Sequence, residues 1–368
     1  MRELLIVAGE ASGDLHGAKL AEAVRALAPD LPIVGVGGGR MRAVGVKLVH
    51  ELDGVVGFVE VIRHIPEHWR LLRALRRRLQ AGTVGAIVLI DYPGFNLRLA
   101  AVAQAAGVPV LYYITPQVWA WKRGRLREMA RVITRAAVIL PFEEAMLREA
   151  GIDATFVGHP LLDRAQDLPD RATARARLGL PTEGEILALF PGSRAVEITR
   201  HLEDFVAVAR EIERRRPGVR PVIAVAPTIA LDATRVPYPL VRGASFDVLR
   251  AADVALCKSG TTTLEAAVAD CPCAIVYRTS AISFAIAKRL VTLPYIGLLN
   301  IVAGREVARE FVQDAFVPET VAAHLTSLFD AGPARDALRL GLGEVRARLG
   351  TPGASGRVAQ MAMEMRRG

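Results

Sequence analysis

Four groups of polar residues, each placed where an apolar run ends, carry the chemistry available to this chain. The densest is CKSGTTTLEAA, Cys257 to Ala267. Val254-Ala255-Leu256 reads as a strand, Lys258-Ser259-Gly260 as a turn, and Leu264 onward as a helix. A small-residue turn into a helix start leaves backbone N–H groups pointing one way at the positive end of the helix dipole, which favours an anion such as a phosphate. Ser259, Thr261 and Thr262 add hydroxyls, and Glu265 follows about one turn on, where a carboxylate would accept from a ribose diol. A second loop of the same form, Pro191-Gly192-Ser193-Arg194, adds a guanidinium, the side chain best shaped to grip a diphosphate.

The other two groups lie near the N-terminus. Leu4–Ala8 reads as a strand and runs into GEASGDLHG, with Glu10, Ser12, Asp14 and His16 within seven residues and Gly13 among them. Helix capping by Ser12 or Asp14 explains one or two of these polar groups, and not His16 as well. The glycine spacing is neither a Walker loop nor a dinucleotide fingerprint. Asp91 ends the apolar run Ala86–Ile90, just before Pro93-Gly94. An acid at the carboxyl tip of a buried strand stands where α/β proteins do chemistry, and burial there would raise its pKa and suit it to general-base work. A turn or N-cap aspartate is an equal reading. Gln117, Trp119, Trp121 and Lys122 follow the strand 108–114, and the tryptophans either line a sugar or acyl site or belong to the core.

The elements needed to hold these groups are legible in outline. A chain of 368 residues predicts two domains. Apolar runs alternate with helical stretches in both halves, which predicts an α/β protein. Gly158-His159-Pro160 suits an interdomain crossing, Asp163 to Leu180 a polar helical connector, and the chain reads as helical from Pro318. The formal charge of +9 points to an anionic partner or to a generally basic surface. GVVGFVEVIRHIPEHWRLLRALRRRL puts Phe58, Val61, Ile62, Ile65, Trp69, Leu72 and Leu75 at helical spacing, flanked by Arg63, Arg70, Arg73 and Arg76 to Arg78. Such a helix either lies on an anionic membrane surface or packs on a core with a solvated basic face. Cys257, Cys271 and Cys273 fit neither a disulfide framework nor a zinc site and read as reduced thiols of a cytosolic protein. No metal-ligand cluster is legible, and the first apolar segment is too short for a signal peptide. Leu99 to Trp121 is free of charge, but Gly107-Val108-Pro109 breaks it into a helix and a buried strand.

Taken in order, GEASGDLHG, VVGFVEV, IDYPGFNLRLA, YYITPQVWAWK, VGHPLLD, LALFPGSRAVEI, CKSGTTTLEAA and LLNIVAGREVAREFVQ resemble the lipid-A-disaccharide synthase family, over residues 9 to 313. The resemblance implies a GT-B glycosyltransferase: two Rossmann-like domains with parallel sheets facing a central cleft. It implies an acceptor and membrane-facing domain over 1–165, a UDP-sugar domain over 166–344, and a C-terminal helix near 345–368 packing back on the first. It implies transfer of 2,3-diacylglucosamine from its UDP-linked form to 2,3-diacylglucosamine 1-phosphate (lipid X), giving the β-1,6 disaccharide 1-phosphate and UDP. Another GT-B enzyme acting on non-acylated UDP-GlcNAc, an epimerase or a transferase, is the alternative. Under the resemblance Asp91 is the base, with His16 as alternative or assistant. Glu10, Ser12, Gly13, Gln117 and Trp119 line the acceptor side. Ser193, Arg194, Lys258, Ser259, Gly260, Thr261, Thr262 and Glu265 hold UDP. Asn300, Arg305, Glu306 and Gln313 face the donor or a subunit partner. Phe58, Val61, Ile62, Ile65, Trp69, Leu72 and Arg73 form a membrane face. No cofactor, metal or nucleic acid is implied, and the setting is the inner face of the cytoplasmic membrane, with a homodimer of exchanged C-terminal domains. Arg309 stands where the family usually has proline, which puts the shape of that loop in question.

Overall fold

The structure, a computed structural model, describes residues 2–51, 65–121, 123–227, 229–280, 284 and 293–367. The chain divides into two compact units, one of Met1–Pro160 with Gly350–Gly368 and one of Leu161–Leu349.

The first unit is a seven-stranded sheet in the order β3-β2-β1-β4-β5-β6-β7, parallel throughout. The strands are β1 Glu3–Ala8, β2 Ile33–Gly37, β3 Lys47–Glu51, β4 Val84–Ile90, β5 Val110–Tyr113, β6 Arg135–Val138 and β7 Asp153–Phe156. Both faces are covered by helices, so the central strands read as unbroken apolar runs. On β1, Leu5 and Val7 join the core on one face and Leu4, Ile6 and Ala8 the core on the other. Helices Ile65–Gln80, Pro93–Ala105 and Pro141–Glu149 cover the first face. Helices Ala11–Leu27 and Ala354–Arg367 cover the second, where Leu20, Ala21 and Val24 meet Val358, Ala359 and Ala362. Burying each such Leu, Ile or Val contributes about 1.5–3 kcal/mol.

The second unit repeats the plan with six parallel strands in the order β10-β9-β8-β11-β12-β13. These are β8 Ile186–Phe190, β9 Arg220–Val225, β10 Leu240–Arg242, β11 Val254–Lys258, β12 Cys273–Tyr277 and β13 Glu310–Val312. Cys257, Cys271 and Cys273 are buried thiols in it.

In each unit the chain winds outward on one side of its first strand and then restarts on the other. The restart falls between β1 and β4 in the first unit and between β8 and β11 in the second. Ligands of open α/β sheets bind at the carboxyl ends of the strands flanking such a switch point. The loops singled out by their chemistry, after Ala8 and Ile90 and after Phe190 and Lys258, are the four that flank these two points.

Two features depart from the expected elements. The edge strands β3 and β13 have no apolar run to announce them; β3 is KLVHE, largely solvent-facing. Residues 163–180, expected as a polar helical connector, belong to the second unit, where helix Arg171–Arg177 buries Arg175. Leu99 to Trp121 divides into the end of helix Pro93–Ala105, β5 and the turn of helix Val118–Trp121. Among the described residues no helix is long and apolar enough to cross a membrane.

Candidate active site

Asp91 stands at the tip of β4 in the left-handed region, φ +47, and Tyr92 follows at φ +48. On the next strand Ile114, just past β5, has φ +60. Non-glycine residues in this region store strain, and such residues gather at functional sites. The Asp91 backbone is clamped: its N–H donates to the Tyr113 carbonyl at 3.1 Å, and its carbonyl accepts from Tyr112 Oη at 2.7 Å and Asn96 Nδ2 at 2.8 Å. Asp91 is half-buried, not enclosed as the apolar run suggested.

Across the switch point, Gly9 has no room for a side chain; a Cβ there would stand 2.1 Å from Tyr92 Cγ. Glu10 and Ser12 are exposed at the start of helix Ala11–Leu27, and Gly13 is buried against Ala8. Asp14 caps a different helix from the one it lies in. Its carboxylate accepts from the amides of Gly38 (2.7 Å), Arg40 (3.0 Å) and Met41 (3.1 Å), at the start of helix Gly39–Ala43. The Gly37-Gly38-Gly39 run thus brings backbone to Asp14. His16 is half-buried, edge-on to Tyr113 with ring centroids 6.0 Å apart, and its charge acts on buried His159. The first unit therefore brings Glu10, Ser12, His16 and Asp91 to one end of its sheet.

Gln117 is exposed near that end, whereas Trp119 is a core residue. Its indole N–H donates to Glu143 Oε1 at 2.9 Å, and Glu143 Oε2 accepts from the Leu140 amide at 3.1 Å. Lys122 and the Trp121 side chain lie outside the described residues.

The second unit's switch point holds the phosphate-type loops. Gly260 precedes helix Thr261–Ala269, whose start no side chain caps, and a Cβ on Gly260 would meet nothing within 4 Å. Among the described residues, none crowds this helix start at Gly260. The hydroxyls divide unequally. Ser259 Oγ donates to the Ile296 carbonyl at 2.9 Å and Thr263 Oγ1 to that of Gly260 at 2.8 Å, so both are structural. Thr261 is exposed and Thr262 half-buried. Ser193 and Arg194 are exposed on the facing loop.

Between the loops stands Glu197, which the motif reading passed over. Its Oε2 accepts from the amides of Ser193 (2.9 Å) and Arg194 (3.3 Å), and its Oε1 from Lys258 Nζ (2.8 Å). Burial pushes its pKa up, but the hydrogen bond and charge of Lys258 and the Ser193 amide outweigh it and hold it below the ordinary range. The signal was in the sequence: a glutamate at the third helical position reaching back to the N-cap amide. Gly192, at φ +141, is required here, since a Cβ would fall 2.5 Å from Glu197 Cβ.

Four expected donor residues are engaged elsewhere. Glu265 is 7% exposed and bonded to Arg164 at 3.1 Å and to Ser245; burial pushes its pKa up despite these partners. Asn300 is fully buried. Its Oδ1 accepts from Val307 and Ala308 amides, and its Nδ2 donates to the Ala308 carbonyl and to Glu310. No lone pair or N–H of that amide remains for a ligand. Arg305 pairs with Glu344 at 2.6 Å, and Glu306 is exposed. Gln313 braces the Thr279 backbone through both its amide atoms. Arg309 opens β13: its carbonyl accepts from Ile275 N–H at 2.9 Å and its guanidinium lies over Phe311, so the strand forms without proline.

On helix Ile65–Gln80, Leu72 packs toward the core beside buried Leu75 and Leu79, a correction to its place on the membrane face. The helix's spacing is right, but its C-terminal half turns the apolar stripe to the sheet. Trp69 is 51% exposed, and Arg70, Arg73, Arg76 and Arg77 are exposed with it. Phe58, Val61 and Ile62, and the Ile65 side chain, lie outside the described residues. Among the described residues no cluster of His, Cys, Asp and Glu could hold a metal ion.

Two doubly wound parallel sheets, each with polar loops at its switch point, are the plan of GT-B proteins, and solved structures bear this out. The S. aureus MnaA–UDP co-structure matches with TM-score 0.67 at 12% identity, covering 97% of this chain and 95% of that one. Arabidopsis thaliana UGT89C1 matches with TM-score 0.64 at 14% identity, over 99% of both chains. The fold is GT-B, shared by glycosyltransferases and UDP-GlcNAc epimerases. A family model described as Lipid-A-disaccharide synthetase matches residues 4–336. The lipid-A-disaccharide synthase of Trichlorobacter lovleyi is 42% identical over 99% of this chain and 97% of its own length, and that of Myxococcus xanthus 41% over 98% and 97%. The chain belongs to the lipid-A-disaccharide synthase family and is a glycosyltransferase of lipid A synthesis.

Proposed function

We propose that the enzyme transfers 2,3-diacylglucosamine from UDP-2,3-diacylglucosamine to 2,3-diacylglucosamine 1-phosphate with inversion at the anomeric carbon. The acceptor 6-hydroxyl oxygen bonds to C1, the C1–O bond to UDP breaks, and the hydroxyl proton passes to Asp91. Charge then gathers on the departing β-phosphate. The observation that carries the reading is the uncapped helix start at Gly260, uncrowded by any described residue and flanked by Arg194 and Lys258. Helix-terminal amides and the net positive charge that Arg194 and Lys258 keep beside Glu197 suit a nucleoside diphosphate leaving group without a metal. Supporting the base assignment is the clamped, half-buried Asp91 at the other unit's switch point.

UDP release from the acylated donor, followed with and without the acceptor, tests the reading. Release only when both lipids are present is expected; equal turnover of non-acylated UDP-GlcNAc overturns it in favour of an epimerase or a simpler transferase. Asp91→Asn should lower kcat about 10²–10⁴-fold, the usual range for a lost general base, without changing UDP affinity. Wild-type turnover would move the role to His16. A ribose contact by Glu265 requires its pair with Arg164 to part; Glu265→Ala with unchanged UDP affinity removes that contact from the reading.

We further propose that the exposed basic side of helix Ile65–Gln80 seats the enzyme on an anionic membrane. Arg70, Arg73, Arg76 and Arg77 supply the charge and Trp69 the apolar anchor.

A further inference from the structure

Asp91 and Tyr92 are two successive non-glycine residues in the left-handed region. Such residues normally occur there singly, and a pair persists only where its surroundings over-determine it. Part of that surrounding is the carbonyl clamp from Asn96 and Tyr112 on Asp91. The rest converges on the Tyr92 side chain. Its ring occupies the space that Gly9 leaves by lacking a Cβ. Its hydroxyl lies 2.5 Å from His68 Nε2, and His68, Tyr92 and Phe95 form a three-ring cluster with centroids 5.9 to 6.1 Å apart. Burial, and then the charge of Glu10, raise the Tyr92 pKa, so the phenol keeps its proton and donates to Nε2 when His68 carries its own proton on Nδ1.

Three rings at a helix–sheet contact are ordinarily packing. Two features go beyond packing. The polar link between His68 and Tyr92 is as short as a strong hydrogen bond and joins two half-buried groups. It also bears on the residue adjoining the base, where two successive residues are held in an unfavourable conformation.

We propose that Tyr92 and His68 are positioning residues for the transfer reaction: their hydrogen bond holds the left-handed turn and so fixes the aim of the Asp91 carboxylate at the acceptor hydroxyl. Neither touches substrate in this scheme. The proposal rests on Asp91 being the base.

The test uses the full-length enzyme and UDP release with both acylated substrates. Tyr92→Phe keeps the ring and deletes the hydroxyl; His68→Leu deletes the acceptor; His68→Gln keeps a side chain able to accept from the phenol. Tyr92→Phe and His68→Leu are expected to lower kcat about tenfold, the scale of a small misalignment of a catalytic group, with KM for either substrate changed less than about twofold. His68→Gln should restore most of the rate. In an Asp91→Asn background Tyr92→Phe should cost nothing further, because the effect runs through the missing carboxylate. Wild-type kcat in both single variants, a rise in KM alone, no rescue by glutamine, or a full additive loss in the Asp91→Asn background each overturns the proposal. If Asp91→Asn alone turns over at the wild-type rate, the base assignment falls and takes this inference with it. If Asp91→Asn is inactive while Tyr92→Phe is unimpaired, only the positioning role falls.

Discussion

Glu143 and His159 are buried in the first unit and titrate in opposite senses. Burial pushes the Glu143 carboxyl up to about 7, against the hydrogen bonds from Trp119 and Leu140. The folded state prefers it protonated, so its contribution to stability is full below the ordinary 4.5 and is lost as pH rises through about 7. Burial, and then the charge of His16, hold His159 down to about 3. Its contribution is full above the ordinary 6.5 and is lost as pH falls toward about 3. Each is worth about 3–5 kcal/mol at its favourable end, and the two slopes oppose each other in between. Relative to the parent, Glu143→Gln should gain in melting temperature as pH rises from 5 to 8, and His159→Gln should lose. A flat difference in either variant rejects that group's assignment. Asn300 is a third case. Asn300→Ala strands two buried amide N–H groups and should cost about 3 kcal/mol by denaturant titration, with UDP affinity nearly unchanged. The roles of Glu143 and His159 were not legible in the sequence, because Trp119 and His16 are distant from them along it. Asp14 meets residues 38 to 41, and Ser259 meets Ile296. The loop types were legible, since a polar residue after an apolar run marks a strand end. Which hydroxyl remains open was not.

At the scale of elements, apolar runs identified the central strands because parallel sheets bury both faces. They did not identify β3, whose edge position leaves side chains in water, or β13, which is only three residues long. Helix Arg171–Arg177 looked polar in sequence, yet Arg175 uses its guanidinium on the carbonyls of Ala251, Thr182 and Gly184 and on Asp253. Arg175→Met leaves Asp253 and those carbonyls short of a buried partner and should cost about 3–5 kcal/mol, read as a lower denaturation midpoint. Helix Ile65–Gln80 combines a buried stripe with an exposed basic side, so neither reading of its sequence excluded the other. Trp69→Ser with Arg73→Glu should release the enzyme from phosphatidylglycerol vesicles in sedimentation, without altering its fold by circular dichroism. Unchanged partitioning would reject the membrane seat.

At the scale of the molecule, the alternation of strands and helices pointed to an α/β protein and the family resemblance to two parallel sheets, whose switch points follow from the observed strand order. Periodicity alone does not say which chain segments complete which unit; the resemblance implied a returning C-terminal helix, and helix Ala354–Arg367 packs on helix Ala11–Leu27, at the other end of the chain. Arg366 reaches the Arg2 carbonyl at 2.8 Å and Arg357 the Val157 carbonyl at 2.9 Å. Removing residues 350–368 should leave the 161–349 unit with its own cooperative transition and abolish amide protection in helix Ala11–Leu27. Retained protection there would refute this view of the closing helix.

That closing helix also sets a timetable. Domains usually complete in the order in which they are synthesised. Here the unit that begins the chain is the last to finish. From the emergence of Pro160 until the final segment is made, Leu20, Ala21 and Val24 lack their cover, an interval of roughly 10–40 s at ordinary elongation rates. During that interval the nascent chain presents a greasy helix face to the cell while its later half is already folding. A holding chaperone would have its strongest claim on this chain there, and a stop codon just past residue 349 would make that exposure permanent.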